Sequence, residues 1–170
     1  MNLKKEVYGG IEMQINERGL ELIKSFEGYK EKPYKLAGEP FYTVGYGHHS
    51  RDVDPTHIYT PEECEAFLLE DLKRFEDHVT FVDYAGGYFF NENEFSALVS
   101  FAYNCGNING LTNHAKRDRE HIRKSMLKYC YDSAGNLLKG LERRRKAELE
   151  LFNTPVEAAD WLYDSLEEIR

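Results

Sequence analysis

Between Glu27 and His48 the chain changes its periodicity, and no other feature constrains its fold as tightly. Upstream, Leu20, Ile23 and Phe26 recur at helical spacing, with Leu22 beside them and Asn16 placed to cap the start. The segment ends in Glu27-Gly28, a carboxylate followed by a residue suited to stopping a helix. Downstream, residues 29–47 carry Tyr, Pro, Gly, Phe, Thr and Val with no helical period. Two short strands are expected there, over 33–36 and 41–46, around a turn at Ala37-Gly38-Glu39-Pro40. The stretch closes on Thr43-Val44-Gly45-Tyr46-Gly47-His48, where two glycines permit backbone to approach a ligand closely. A single acid on a rigid helix end, beside a small sheet, is an arrangement suited to cutting a sugar chain. Glycosidic hydrolysis needs a proton donor for the leaving oxygen and either a nucleophile or a positioned water.

The rest of the chain reads as mainly helical. Thr60-Pro61-Glu62-Glu63 combines a Thr cap, Pro at the first position and Glu at the third. A long helix over 61–79 follows, with Cys64, Phe67, Leu68, Leu72, Phe75 and Val79 on one face. Asn91-Glu92-Asn93-Glu94 starts another, which carries Phe95, Leu98, Val99 and Ala102 and stops at Asn104-Cys105-Gly106. Ile122, Met126 and Tyr129 predict a helix over 118–130, and an Arg-rich helix is expected over 140–152. Residues 1–12 read as an N-terminal extension. Residues 154–170, with the single Trp161, read as an amphipathic helix that packs on the core or, alternatively, binds a partner. The domain proper is therefore assigned to 13–153.

Bulk properties narrow the function classes. A chain of 170 residues is expected to form one domain with a substantial core. Its net charge of −8 argues against nonspecific binding to nucleic acid or to anionic membranes. Cys64, Cys105 and Cys130 are odd in number and lack C-x-x-C spacing, so they are read as buried free thiols rather than a disulfide or a metal site. No H-E-x-x-H or comparable set appears, and no metal is expected. No secretory segment or long apolar stretch is visible, which predicts accumulation in the cytoplasm.

Phe26-Glu27-Gly28, Tyr34 and Thr43-Val44-Gly45-Tyr46-Gly47-His48 together resemble the phage-type lysozymes, also called endolysins or muramidases. Residues 95–106 resemble that family's second core helix, and residues 140–148 its final Arg-rich helix. The resemblance implies an α+β, lysozyme-like fold: a small β-hairpin lobe over 29–59, joined by the long helix to a mainly helical lobe. It implies peptidoglycan glycan strands as substrate, no cofactor, and release to the wall by a separate membrane-permeabilising partner. A monomer is the default expectation.

Site residues follow by position. The resemblance makes Glu27 the general acid, walled by Phe26, Tyr34 and Tyr46, and Thr43 the hydroxyl that positions water. The family's second carboxylate is absent, because Leu36 stands in its place, and Thr43 comes one residue later than usual. Glu39 in the turn is the leading replacement, with Asp52 and Asp54 behind it. His48 is expected to pair with Asp71, whereas His49 and His57 read as surface residues. Tyr34, Tyr46, Phe101 and Asn104 are candidate substrate contacts, with core packing an equal explanation for Phe101 and a plain helix cap the alternative for Asn104. Arg143, Arg144 and Arg145 read first as a solvated helix face, although the resemblance implies that one of them braces the groove. Two rivals to hydrolysis stay open. One is a lytic transglycosylase, which needs an acid but no water-activating group. The other is a degenerate glycan-binding relative.

Overall fold

The computed structural model describes residues 13–156, so the expectations for 1–12 and 157–170 lie outside the described residues. Helix α1 (Glu17–Glu27) starts where Asn16 accepts a hydrogen bond from the Gly19 N–H at 3.0 Å. It stops at Gly28, whose φ of 72° a β-carbon would resist. Gly19 lies close against Ile15 and Ser96. A β-carbon added there would lie 2.7 Å from Ser96 Cβ, so α1 can press against the central helix only because this position is bare.

A three-stranded antiparallel sheet follows, in the order β1 (Lys30–Tyr34), β2 (Tyr42–Gly45), β3 (His48–Ser50). The first strand sits earlier than the sequence suggested, and β3 was not anticipated. Three residues bounded by a two-glycine turn offer too little alternation to stand out in sequence. Gly45 and Gly47 both take positive φ, 63° and 98°, which lets the chain reverse in the shortest possible space. The β2–β3 register sets Tyr42 opposite Ser50, Thr43 opposite His49 and Val44 opposite His48. The face carrying Val44 packs with Val53, Tyr59 and Cys64 into a small core of its own.

Helix α2 (Pro61–Gly86) links the two lobes. Thr60 and Glu63 form the expected capping box. The helix runs past the expected end at residue 79, because Thr80 and Val82 continue its buried face and nothing breaks it before Gly87, which adopts the left-handed conformation. Helix α3 (Glu92–Cys105) is the hub of the larger lobe: every residue from Asn93 to Ala102 is buried. Short α4 (Asn109–Thr112), α5 (Arg119–Met126) and α6 (Lys139–Asn153) complete the lobe. Leu68, Leu72, Phe95, Leu98, Ile108 and Ile122 lie in its core at 2% exposure or less. Burying side chains of this size contributes about 1.5–3 kcal/mol each.

Two sequence expectations need correction. Arg144 and Arg145 are not on a solvated face: they are 4% and 0% exposed, on the side of α6 that packs against α3. Cys105 is exposed, although Cys64 and Cys130 are buried, and all three thiols are free. It lies at the last turn of α3, where the helical period that suggested burial gives out. Among the described residues no helix is long and apolar enough to cross a membrane.

Candidate active site

A groove of about 810 Å³ runs between the hairpin and the helical lobe, with Glu27 in its wall. Glu27 is the last residue of α1, so the helix delivers its carboxylate at a fixed height above the groove floor. Arg144 holds it there. Its Nη1 donates to Glu27 Oε1 at 2.6 Å, its Nε to Glu148 Oε1 at 3.1 Å and its Nη2 to the Ser100 carbonyl at 3.3 Å. Three directions of the guanidinium are thereby used, and the ring of Phe26 lies 5.7 Å from its centre. Among the described residues the other Glu27 oxygen, Oε2, has no hydrogen-bond partner.

The support beneath this contact is a buried charge network. Glu148 is fully buried and accepts from Ser100 Oγ at 2.8 Å and from Arg145 Nη2 at 3.0 Å. Burial pushes the Glu148 carboxyl up, against the pull of Arg145 and Arg144. Arg145 Nε lies 2.8 Å from Glu148 Oε2 as an ion pair, although out of line for a hydrogen bond. Arg145 Nη2 also donates to Asn104 Oδ1 at 2.8 Å, which holds the Asn104 amide at the groove wall. A charge left alone at such depth would cost several kcal/mol, so these groups stand only as a set.

Across the groove, Thr43 is 7% exposed and its Oγ1 lies 3.0 Å from His49 Nδ1. His49 itself lines the groove, alongside Gly47. His48 turns to the opposite side of the strand, where Nδ1 lies 3.0 Å from Asp71 Oδ2 and the ring stacks on Phe67 at 4.4 Å. The expected His48–Asp71 contact is thus present, and it ties β3 to α2. Tyr103 closes the floor by donating its hydroxyl to the Tyr46 carbonyl at 3.1 Å. Burial first, then the neighbouring Glu27 and Asp71, push that phenol up to about 12, while Arg144 and Arg74 pull the other way. It therefore stays a neutral donor.

Other candidates fall elsewhere. Phe101 is fully buried, with its ring 4.9 Å from Tyr129 and the Arg145 guanidinium 4.5 Å from its centroid, so it cannot touch a substrate; its place on the inner face of α3 is core packing. Glu39 stays in its own turn, where Oε2 accepts from the Leu36 N–H at 3.2 Å. Asp54 accepts from the Thr56 N–H at 2.8 Å and Asp52 from Ser50 Oγ at 3.5 Å, so both serve the loop after β3. Tyr34 is 40% exposed on strand β1 and is not among the residues lining the groove with Glu27. Tyr46 packs between the two cores, 5.7 Å from the ring of Tyr29. Sequence reasoning missed His49, Lys73 and Arg74 at the groove. The signal for the last two was Glu70, Lys73, Arg74 and Asp77 at one-face helical spacing. Among the described residues no cluster of His, Cys, Asp and Glu could hold a metal ion.

Comparison with known proteins matches this geometry to one group. The family described as phage lysozyme matches residues 24–148. The chain is 37% identical over 147 residues to an endolysin of Bacillus phage PZA, a match covering 84% of this chain and 56% of that protein. It is 39% identical over 146 residues to an endolysin of Lactococcus phage c2, covering 85% and 62%. The matched region thus spans less than two thirds of the length of either relative. Among solved structures, the muramidase domain of SpmX from Asticaccaulis excentricus is similar, with a TM-score of 0.71 and 29% identity, covering 84% of this chain and 99% of that one.

Proposed function

The chain belongs to the phage lysozyme family, and on that premise we propose that it is a peptidoglycan muramidase. It hydrolyses the β-1,4 bond between N-acetylmuramic acid and N-acetylglucosamine, and so lyses bacterial cell walls. The observation that carries this reading is the fixed carboxylate: Arg144 grips one oxygen of Glu27 from inside the core and leaves the other for the groove. Glu27 Oε2 bears the proton that passes to the leaving oxygen. A strand seated in the groove excludes water, which strengthens this directed transfer.

Thr43 lies on the hairpin wall and orders the water that attacks the anomeric carbon from the opposite side. Attack from that side inverts the anomer. Asn104 contacts the sugar from the groove wall, Tyr46 supports that wall from between the two cores, Tyr34 lies farther along the hairpin, and Glu39 holds the hairpin turn through the Leu36 N–H. Delivery to the wall follows release by a separate membrane-permeabilising partner after synthesis in the bacterial cytoplasm. The protein works as a monomer and without a cofactor.

One observation favours a second reading. Leu36 stands where the family has an acid, and its side chain is non-ionisable and 61% exposed. A lytic transglycosylase would need only Glu27. Digestion of purified peptidoglycan by wild type and Glu27→Gln, with mass analysis of the fragments, separates the two. Reducing muramic ends from wild type alone support the muramidase, 1,6-anhydro ends the transglycosylase. Binding without fragments from either protein overturns both.

A further inference from the structure

Among the described residues the hairpin brings no carboxylate to the groove, whose acids other than Glu27 all come from α2, yet hydrolysis needs a group that takes a proton from water. The carboxylates nearest the hairpin are committed elsewhere: Glu39 to the Leu36 N–H, Asp54 to Thr56 and Asp52 to Ser50. What faces the groove from the hairpin is an imidazole. The β2–β3 register sets His49 directly opposite Thr43, with Nδ1 and Oγ1 3.0 Å apart, and His49 lines the same groove as Glu27. The ring of Phe41, 5.7 Å away by centroid, braces it from the side.

We propose that His49 is the general base of the reaction and that Thr43 orients its ring, an assignment that rests on the muramidase reading of this groove. When Nδ1–H donates to Thr43 Oγ1, the tautomer is set and Nε2 presents a lone pair to the groove. A hydrogen-bonded hydroxyl then does for this imidazole what an orienting side chain does in other catalytic pairs. In the step, the water oxygen bonds to the anomeric carbon as the bond to the leaving glycosidic oxygen breaks. His49 Nε2 takes a proton from the water, and Glu27 Oε2 gives its proton to the leaving oxygen. The products are a reducing sugar of inverted anomer and a free hydroxyl, with imidazolium and carboxylate left on the protein. Both reset by exchange with solvent.

The charged groups that line the groove come from several elements. Glu27 faces it from α1. From α2 come Glu70, Asp71 (paired with His48) and Asp77, set against Lys73 and Arg74. The neutral phenol of Tyr103 is the contribution of α3.

The test is kcat and KM on purified peptidoglycan over about pH 5–8, the range in which imidazoles change charge, for wild type, His49→Gln and His49→Ala. The expected result is a loss of about 10²–10⁴ in kcat with KM unchanged, the usual size of a general-base contribution. The acid limb of the kcat profile disappears in His49→Gln, and added imidazole restores part of the turnover of His49→Ala. Near-wild-type kcat, an acid limb that survives His49→Gln, or a proportional loss in KM overturns the assignment. Fragment analysis keeps the two proposals apart. Reducing muramic ends together with an active His49→Gln overturn only the base, whereas anhydro ends or no fragments from wild type overturn the muramidase reading and the base with it.

Discussion

Arg144 reaches across 117 positions of sequence to place its Nη1 2.6 Å from Glu27 Oε1, and the functional site is built on that contact. A flexible ammonium cannot reproduce the three-way fork to Glu27, Glu148 and the Ser100 carbonyl. Arg144→Lys is therefore expected to fold, to bind peptidoglycan, and to lose about 10²-fold in kcat, the scale of a misplaced catalytic group. Steady-state rates and a wall-pelleting assay check both halves. Unchanged kcat would show that the carboxylate does not need this partner.

Glu148 balances two buried guanidinium groups. Glu148→Gln keeps the shape and removes the charge, so buried Arg145 loses its carboxylate partner and Arg144 keeps only Glu27. A loss of about 3–5 kcal/mol in unfolding free energy is expected, read from urea melts. Glu120→Gln, on an exposed ion pair with Arg123, should leave the melt close to that of wild type and serves as the comparison.

His78 carries a pH signature. Burial lowers its proton affinity, and its Nε2 accepts from the Ile108 N–H at 3.3 Å, which requires the unprotonated nitrogen. The folded value thus lies below the unfolded one of about 6.5. Its contribution is full above that value and is lost as pH falls through the lower, folded one, because the unfolded chain takes up the proton first. His78→Gln keeps an acceptor and cannot titrate in this range. Its Tm should fall less between neutral and mildly acidic buffer than that of wild type.

Gly19 and Ser96 form the tightest meeting of α1 and α3. Gly19→Ala is expected to destabilise by about 1–3 kcal/mol, the usual cost of overpacking. The added β-carbon would meet Ser96 Cβ at 2.7 Å and Ile15 Cγ1 at 2.8 Å, so Ser96→Gly in the same chain should recover part of that loss. A double-mutant cycle reads the coupling directly, and simple additivity would mean that Ser96 is not what the new methyl group meets.

Glu27 and the hairpin motif were legible because their signals are local. A helical period that breaks at Glu27-Gly28 and a Gly-Tyr-Gly turn are properties of neighbouring residues, as are the caps at Asn16, Thr60 and Asn91. The His48–Asp71 contact came from resemblance and is present. Apart from element boundaries and the short strand β3, the misreadings were questions of which face looks inward. Arg144 and Arg145 read as solvent-facing because a charge run carries no mark of the partner that compensates it, and that partner network reaches from Ser100 to Glu27. Phe101 read as a groove residue from its helix, but the rotation of α3 points it into the core.

By itself, the sequence determined the position of the acid, the glycine turn that follows it, and the starts and stops of the main helices, since each depends on backbone preferences within a few residues. Only the tertiary structure decided what that acid leans on and what faces it. Strand register set Thr43 against His49, and the burial of α6 against α3 set Arg144 beneath Glu27. Both are long-range choices. The first follows from where a short hairpin pairs, and the second from the cost of leaving charge uncompensated in a core, which no single stretch of chain can meet alone.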